Sequence, residues 1–333
     1  MPTVYSNVAA EYLAATSGAA VYDASYTGRL KATGEDGLDL LNRLSTNKVV
    51  DLLPGQGAPT ILTTDRGRIL DLIIVLNAGD HLLLLTSPGT QQSVIQWLDK
   101  YTIMEDLTVE DISDSTAMLA VWGPGSLGSL ETTIGTGLAE LPLYNSVEAP
   151  LADTLVRIVS TRISELPGYY VITSNETAPI VWQMIVDAGA SPIGTEAYEA
   201  ARINYSLPVY GREMGDEYNP LEAGLIGSID FAKGCYIGQE VIARLDTYRK
   251  VQKYLVKLAF EPGASVSPGT SLKQDGHVVG KVTSVATIPT TSDITGLAYV
   301  RTKNAVPGAR LELEPPGTGW AEIQNLPQLF GPG

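Results

Sequence analysis

Apolar positions along the chain fall into short, well-punctuated runs. Leu38, Leu40, Leu41 and Leu44 lie on one side of a segment from Glu35 to Leu44, which predicts a short helix. Pro54-Gly55-Gln56-Gly57 reads as a loop. Pro59 to Thr64 and Arg68 to Leu76 then read as strands joined by the turn Asp65-Arg66-Gly67. A second turn, Asn77 to Asp80, leads into a strand from His81 to Thr86. A helix from Thr90 to Tyr101 and strands Thr108 to Ser113 and Ala117 to Trp122 complete a first set. A second set has strands Leu155 to Ser160 and Gly168 to Thr173, then helices Ala178 to Ala188 and Thr195 to Tyr205. Helices mixed with antiparallel hairpins predict an α+β fold, not a doubly wound sheet. Beyond about residue 250, alternating strands are broken by Pro262-Gly263, Pro268-Gly269, Asp275-Gly276 and Pro307-Gly308, the pattern of a small antiparallel barrel. The predicted division is an α+β region of two lobes, 1–248, and a C-terminal β-barrel, 249–333.

Length and charge narrow the function. The chain has 333 residues, enough for two or three domains. The longest apolar run, Ile69 to Leu85, is interrupted by Asp71, Asn77, Asp80 and His81, so it reads as strands and not a membrane span. Met1 to Ala20 holds no Lys or Arg, so no basic targeting segment is read there, and the expected location is the cytoplasm. A net charge of −15 argues against a nucleic-acid partner, and no membrane partner is expected. One stretch reverses the sign: Ser228 to Lys257 carries six cations against three acids, a local +3. With one cysteine, Cys235, and two distant histidines, His81 and His277, the chain builds neither an intrachain disulfide nor a zinc or iron–sulfur site of ordinary ligand count.

Two motifs invite chemistry. Gly123-Pro124-Gly125-Ser126-Leu127-Gly128 fits a dinucleotide loop, but Pro124 removes an amide donor and no acidic strand end follows. It reads as a strand-to-helix turn with Ser126 as a cap. The richer segment is Lys233-Gly234-Cys235-Tyr236-Ile237-Gly238-Gln239-Glu240, followed by Val241-Ile242-Ala243-Arg244. Glycines bracket the cysteine, and a helix is predicted from about Gly238 with Glu240 in its first turn. Lys233 and the helix start both favour a thiolate, which makes Cys235 a candidate reactive sulfur. The bland alternative is a small buried side chain.

The run Lys-Gly-Cys-Tyr-x-Gly-Gln-Glu with Ala243-Arg244 resembles the signature of the YgfZ-like folate-binding proteins, relatives of the glycine cleavage T-protein (an aminomethyltransferase). Val21-Tyr22-Asp23-Ala24-Ser25, Leu44-Ser45-Thr46-Asn47, Pro220 to Leu225, Gly280 to Ser284 and Gly296 to Val300 extend the resemblance over most of the chain. It implies a T-protein-like fold of two α+β lobes plus a barrel, with tetrahydrofolate or another reduced folate in a central hole. It also implies a role in iron–sulfur cluster assembly or repair, with iron–sulfur client or assembly proteins as partners; the chain is expected to be a monomer. The resemblance further implies Cys235, Lys233 and Asp71 as the reactive set. Asn47, Arg202, Glu222, Tyr236, Gly238, Gln239, Glu240 and Arg244 would meet the folate.

Departures from the T-protein pattern keep alternatives open. T-proteins carry two adjacent aspartates where this chain has Asp71-Leu72, and the second, their catalytic acid, is replaced by Leu72. Neighbouring strand residues face opposite sides, so Asp71 does not substitute without a register shift. Asp71 is then either functional or a solvated strand residue. A Gly-Glu pair that T-proteins show near the turn Leu166-Pro167-Gly168-Tyr169-Tyr170 is also missing. Arg202 reads as a fork for folate carboxylates or as a surface ion pair with Glu199 or Glu196. Asn47 reads as a pterin ligand or a helix-end cap. Glu222 reads as an orienting group or a structural salt bridge. Two other functions remain: a folate-dependent aminomethyl- or methyltransferase of the T-protein type, and an interaction protein that binds no ligand.

Overall fold

A computed structural model describes residues 1–135, 137–151, 154–163 and 165–326. The chain forms two compact units. One comprises residues 1–62, 70–198 and 228–237, and the other residues 63–69, 199–227 and 238–333.

The first unit holds two sheets. One has five strands in the order Gly57–Thr63, Ile69–Asn77, Leu82–Thr86, Gly28–Thr33, Thr108–Asp111. Helices Gly37–Leu44 and Gln91–Tyr101 bring Leu40, Leu41, Leu44, Val94 and Leu98 onto Leu30, Ile73, Val75 and Leu84 of this sheet. The other sheet has six strands: Ser191–Pro192, Ala20–Asp23, Thr116–Trp122, Leu166–Ser174, Thr154–Ile163, Ser146–Leu151. It is covered by helices Ser126–Ile134 and Ala178–Asp187, whose Leu130, Val181 and Ile185 pack on Val21, Val121, Ile158 and Val171. In the second unit, strands Lys253–Phe260, Ile294–Arg301, His277–Thr287, Ser271–Gln274, Arg310–Leu313 and Trp320–Asn325 close into a barrel. Val256, Leu258, Leu272, Val282, Ala298, Val300 and Leu311 share its core. The hairpin at Asp275-Gly276 takes left-handed backbone at both residues, φ 52° and 76°, as a two-residue turn between twisted strands requires. The expected fold class, two α+β lobes and a barrel, is the one observed.

Three local expectations change. Helix Val8–Ser17 and strand Gly28–Thr33 have no counterpart in the periodicity reading. The helix is apolar on most sides, and its signal is the Asn7 cap, whose side chain accepts from Ala9 and Ala10. The strand carries Gly28, Arg29 and Lys31; Arg29, fully buried, spends its guanidinium on Thr116 Oγ1 and on carbonyls of Ser25, Thr27, Ser113 and Thr116. Ser126 is not the cap of its helix but its first residue; Gly125 takes the cap position and no side chain caps the amides. Leu166 to Tyr170 lie in a strand and not in a turn. Gly168 is needed there because a Cβ would meet Trp122 Cδ1 at 2.6 Å.

Candidate functional site

The signature segment is stitched to the end of a helix. Helix Gly37–Leu44 leaves its last carbonyls without intrahelical donors. Lys233, 9% exposed, donates from Nζ to the carbonyls of Asn42 at 2.6 Å, Ser45 at 2.9 Å and Asn47 at 2.6 Å. The Ile237 amide donates to the Arg43 carbonyl at 3.2 Å. The ammonium therefore caps the negative end of this helix. Upstream, the Asp230 carboxylate accepts from the amides of Ala232 and Lys233, and the Asp230 amide donates to the Thr46 carbonyl. Burial pushes Lys233 down to about 8, with Asp230 pushing back, so it is an ammonium at neutral pH. Between the anchors Gly234 and Cys235 are exposed, while Tyr236 is buried with its ring centroid 5.5 Å from Lys233 Nζ. Burial raises the Tyr236 phenol to about 12. The motif thus builds a clamped loop that displays one thiol.

The three N–H groups of Lys233 are committed to carbonyls, so it holds the loop and has none left to donate to the sulfur. Cys235 itself is exposed, as a reactive or partner-facing thiol requires.

Gly238, Gln239, Glu240 and Arg244 belong to the second unit. Helix Gln239–Thr247 starts after Gly238, whose φ is +85°. A Cβ on Gly238 would stand 2.5 Å from the Thr64 carbonyl oxygen. Strain and clash together make Gly238→Ala cost about 2 kcal/mol or more, to be read by urea unfolding. Glu240 and Arg244 are exposed on this helix.

Asp71 sits on the inner face of strand Ile69–Asn77, fully buried, while Leu72 is half-buried on the other face. Oδ2 accepts from the Ser87 amide at 3.0 Å and from Thr90 Oγ1 at 2.6 Å, and Oδ1 has no hydrogen-bond partner among the described residues. The solvated-strand reading is therefore wrong. Burial raises the carboxyl to about 6, against the pull of Ser87 and Thr90. A folded value above the unfolded 3.8 means the folded state holds this proton longer. The group's contribution falls by about 3 kcal/mol as pH rises from 4 to 6 and stays lost above. Urea unfolding of wild type and Asp71→Asn at pH 4, 5, 6 and 7 should show a stability difference that changes across that window and flattens above it.

Three other candidates have partners within the fold. Arg202 is fully buried and spends its five N–H groups on Glu199, Glu213, Ser284 Oγ and the Leu207 carbonyl. The expected pairing with Glu199 is present, with Arg202 fully buried and Glu199 32% exposed, and no N–H is left over for a folate carboxylate. The Asn47 side chain donates to the Pro59 carbonyl at 2.8 Å and accepts from the Lys48 amide, so it caps no helix. Glu222 accepts from the Asn219 amide at 3.2 Å and pairs with Arg68 at 3.6 Å. Burial raises its carboxyl despite Asn219, Lys253 and Arg68. The carbonyl cage of Lys233 left no trace in side-chain pattern, because backbone oxygens carry no sequence signal.

The GCVT N-terminal domain family matches residues 1–233, and the glycine cleavage T-protein C-terminal barrel domain matches residues 253–327. The chain belongs to the glycine cleavage T-protein family. Its relatives include an aminomethyltransferase of Synechocystis, 29% identical over 99% of this chain and 90% of that protein. One from Nostoc is 28% identical over 97% and 88%. A chloroplastic protein of Arabidopsis thaliana, provisionally named a transferase, is 34% identical over 87% of this chain and 67% of its own length. The crystal structure of aminomethyltransferase T from Bartonella henselae matches 99% of the chain and 92% of that structure with TM-score 0.87 at 21% identity, which shows the shared T-protein fold. No helix among the described residues is long and apolar enough to cross a membrane.

Proposed function

We propose that the protein binds tetrahydrofolate, or another reduced folate, and serves folate-dependent one-carbon transfer of the T-protein type, as a cytoplasmic monomer. The observation that carries this reading is the unbroken likeness, domain after domain, to relatives named aminomethyltransferase over 97–99% of the chain. Bound folate would supply the nitrogen that takes up the one-carbon unit. Of the candidate cations, Arg202 and Lys233 are spent inside the fold, and Arg244 keeps an exposed guanidinium suited to the folate carboxylates. Leu72 neither takes up nor releases a proton, so transfer that depends on an acid at this place is slow. Calorimetry should show saturable tetrahydrofolate binding. Leu72→Asp should then raise aminomethyl transfer to tetrahydrofolate by tenfold or more, an order of magnitude typical of one proton-transfer group. Absence of folate binding would defeat the proposal.

A second reading is favoured by the clamped loop and its exposed thiol: maintenance of iron–sulfur enzymes, with Cys235 facing a client protein. Here wild type restores iron–sulfur enzyme activity in a deletion strain, Cys235→Ala does not, and Leu72→Asp leaves that restoration unchanged.

A further inference from the structure

The outer face of the barrel carries cations that neither reading uses. Lys253 lies directly opposite Arg301 across two neighbouring strands, and Lys281 lies opposite Tyr299 on the next strand. Tyr299 and Arg301, two residues apart, share a face. Like charges directly opposite in a sheet are destabilising, so the fold gains nothing from Lys253 against Arg301. Among the described residues, the ion pairs on the barrel, Lys273 with Glu314 and Arg310 with Glu322, leave Lys253, Lys281, Arg301 and Lys303 out.

Lys253 is held by rings. Its Nζ is 4.2 Å from the centroid of Tyr218 and 5.0 Å from that of Tyr299. The two rings stack at 4.0 Å, and the Tyr299 hydroxyl is fixed by donation to the Glu213 carbonyl at 2.6 Å. This platform is rigid. A cavity of 540 Å³ opens on one side of the Lys253–Arg301 pair, reaching Lys281, and one of 600 Å³ opens on the other, reaching Lys303. Their charged side chains are four cations and one acid, Glu217, a net of three positive charges on a chain of net −15.

We propose that this groove binds a compact oligo-oxoanion, a short row of phosphate or carboxylate groups. The row of cations sets the length. Lys253, Arg301 and Lys281 span three adjacent strands, two spacings of about 5 Å, so the ligand's charges extend over about 10 Å. The acidic remainder of the chain repels a long polyanion, whose far charges would lie over it. One face of the Tyr218 ring is taken by Tyr299, and the Lys253 ammonium, 4.2 Å and 5.0 Å from the two centroids, lies beside the stack, so the rings hold the cation and recognition is by the charge of the row.

The test is calorimetric titration of the full chain at low salt with tripolyphosphate and with tri-γ-glutamate, acetate serving as monovalent control. One or both should bind at a single site, weakening with salt, and acetate should not. Tripolyphosphate alone would mark a phosphate ligand, and triglutamate alone a polycarboxylate. Arg301→Gln and Lys281→Met should each raise the dissociation constant by about tenfold, while Lys100→Met on the other unit leaves it unchanged. Arg301→Gln should also keep or raise the unfolding temperature, since it removes repulsion; a merely structural arginine would lower it. No binding of either anion, or binding that survives Arg301→Gln and Lys281→Met, overturns the proposal.

Discussion

Replacing Arg202 by methionine should cost about 3–5 kcal/mol of stability, because it leaves a buried carboxylate without its counter-charge. Glu213 is as fully buried as Arg202. Its carboxylate accepts from Ser284 Oγ at 2.6 Å, from the Val209 amide at 3.2 Å and from Arg202 at 3.5 Å. Its carbonyl takes the Tyr299 hydroxyl, so the network ties residues 199–213 to barrel strands. Arg202→Lys should not rescue, since an ammonium cannot grip Glu199 through two parallel N–H bonds and still reach Glu213 and Ser284. Adding Glu213→Gln to Arg202→Met should recover part of the loss by removing the stranded charge. The pH dependence carries a second signature. Burial raises the Glu199 carboxyl, but Arg202 and Arg212 more than offset that, leaving it below its ordinary 4.5. That stabilisation is present above pH 4.5 and is lost as pH falls through the lower folded value. The deficit of Arg202→Met should therefore narrow in acid. Tetrahydrofolate affinity per folded molecule should stay unchanged; a large loss would return Arg202 to the binding site. Urea unfolding and calorimetry below the transition read both.

Much of the architecture was legible because the physics is local. Period-two runs, turn pairs such as Asp275-Gly276 and the one-sided leucines of helix Gly37–Leu44 each fix their own neighbourhood. Gly238 was legible too, since a glycine before a helix asks for a backbone other residues avoid. The site was less so. Whether an arginine faces a ligand or a buried network depends on packing between distant segments, as with Arg202 and Ser284, 82 residues apart. Leu72 was readable as the loss of an acid, but its neighbour Asp71 was not readable as a buried, half-satisfied carboxyl. Ser87 and Thr90, which hold it, lie two strands' length downstream in an ordinary loop. The lysine of the signature was visible and its target was not, because that target is three carbonyl oxygens.

Lys233 is the point at which these arguments meet, and its replacement by methionine separates clamp from activator. As a clamp, its loss strands three carbonyls at the end of helix Gly37–Leu44, each costing about 1–3 kcal/mol when left without a donor. The net loss should be about 4 kcal/mol after water replaces part of the contact. Lys233→Arg should fare little better, because a planar fork does not converge on three oxygens as an ammonium does. The folded value near 8 lies below the ordinary 10.5, so above pH 8 the folded chain gives up this proton while the unfolded chain keeps it. Stability contributed at this site therefore rises with pH over that range, and the deficit of Lys233→Met should widen between pH 7.5 and 9.5. The sulfur decides the rest. If the ammonium only holds the loop, Cys235 in Lys233→Met is alkylated by iodoacetamide as fast as in wild type or faster, since the loop is released. If it served the thiolate, alkylation would slow several-fold at neutral pH. Because every N–H of the ammonium already ends on a carbonyl, undiminished alkylation together with the loss of stability is the expected pair of results.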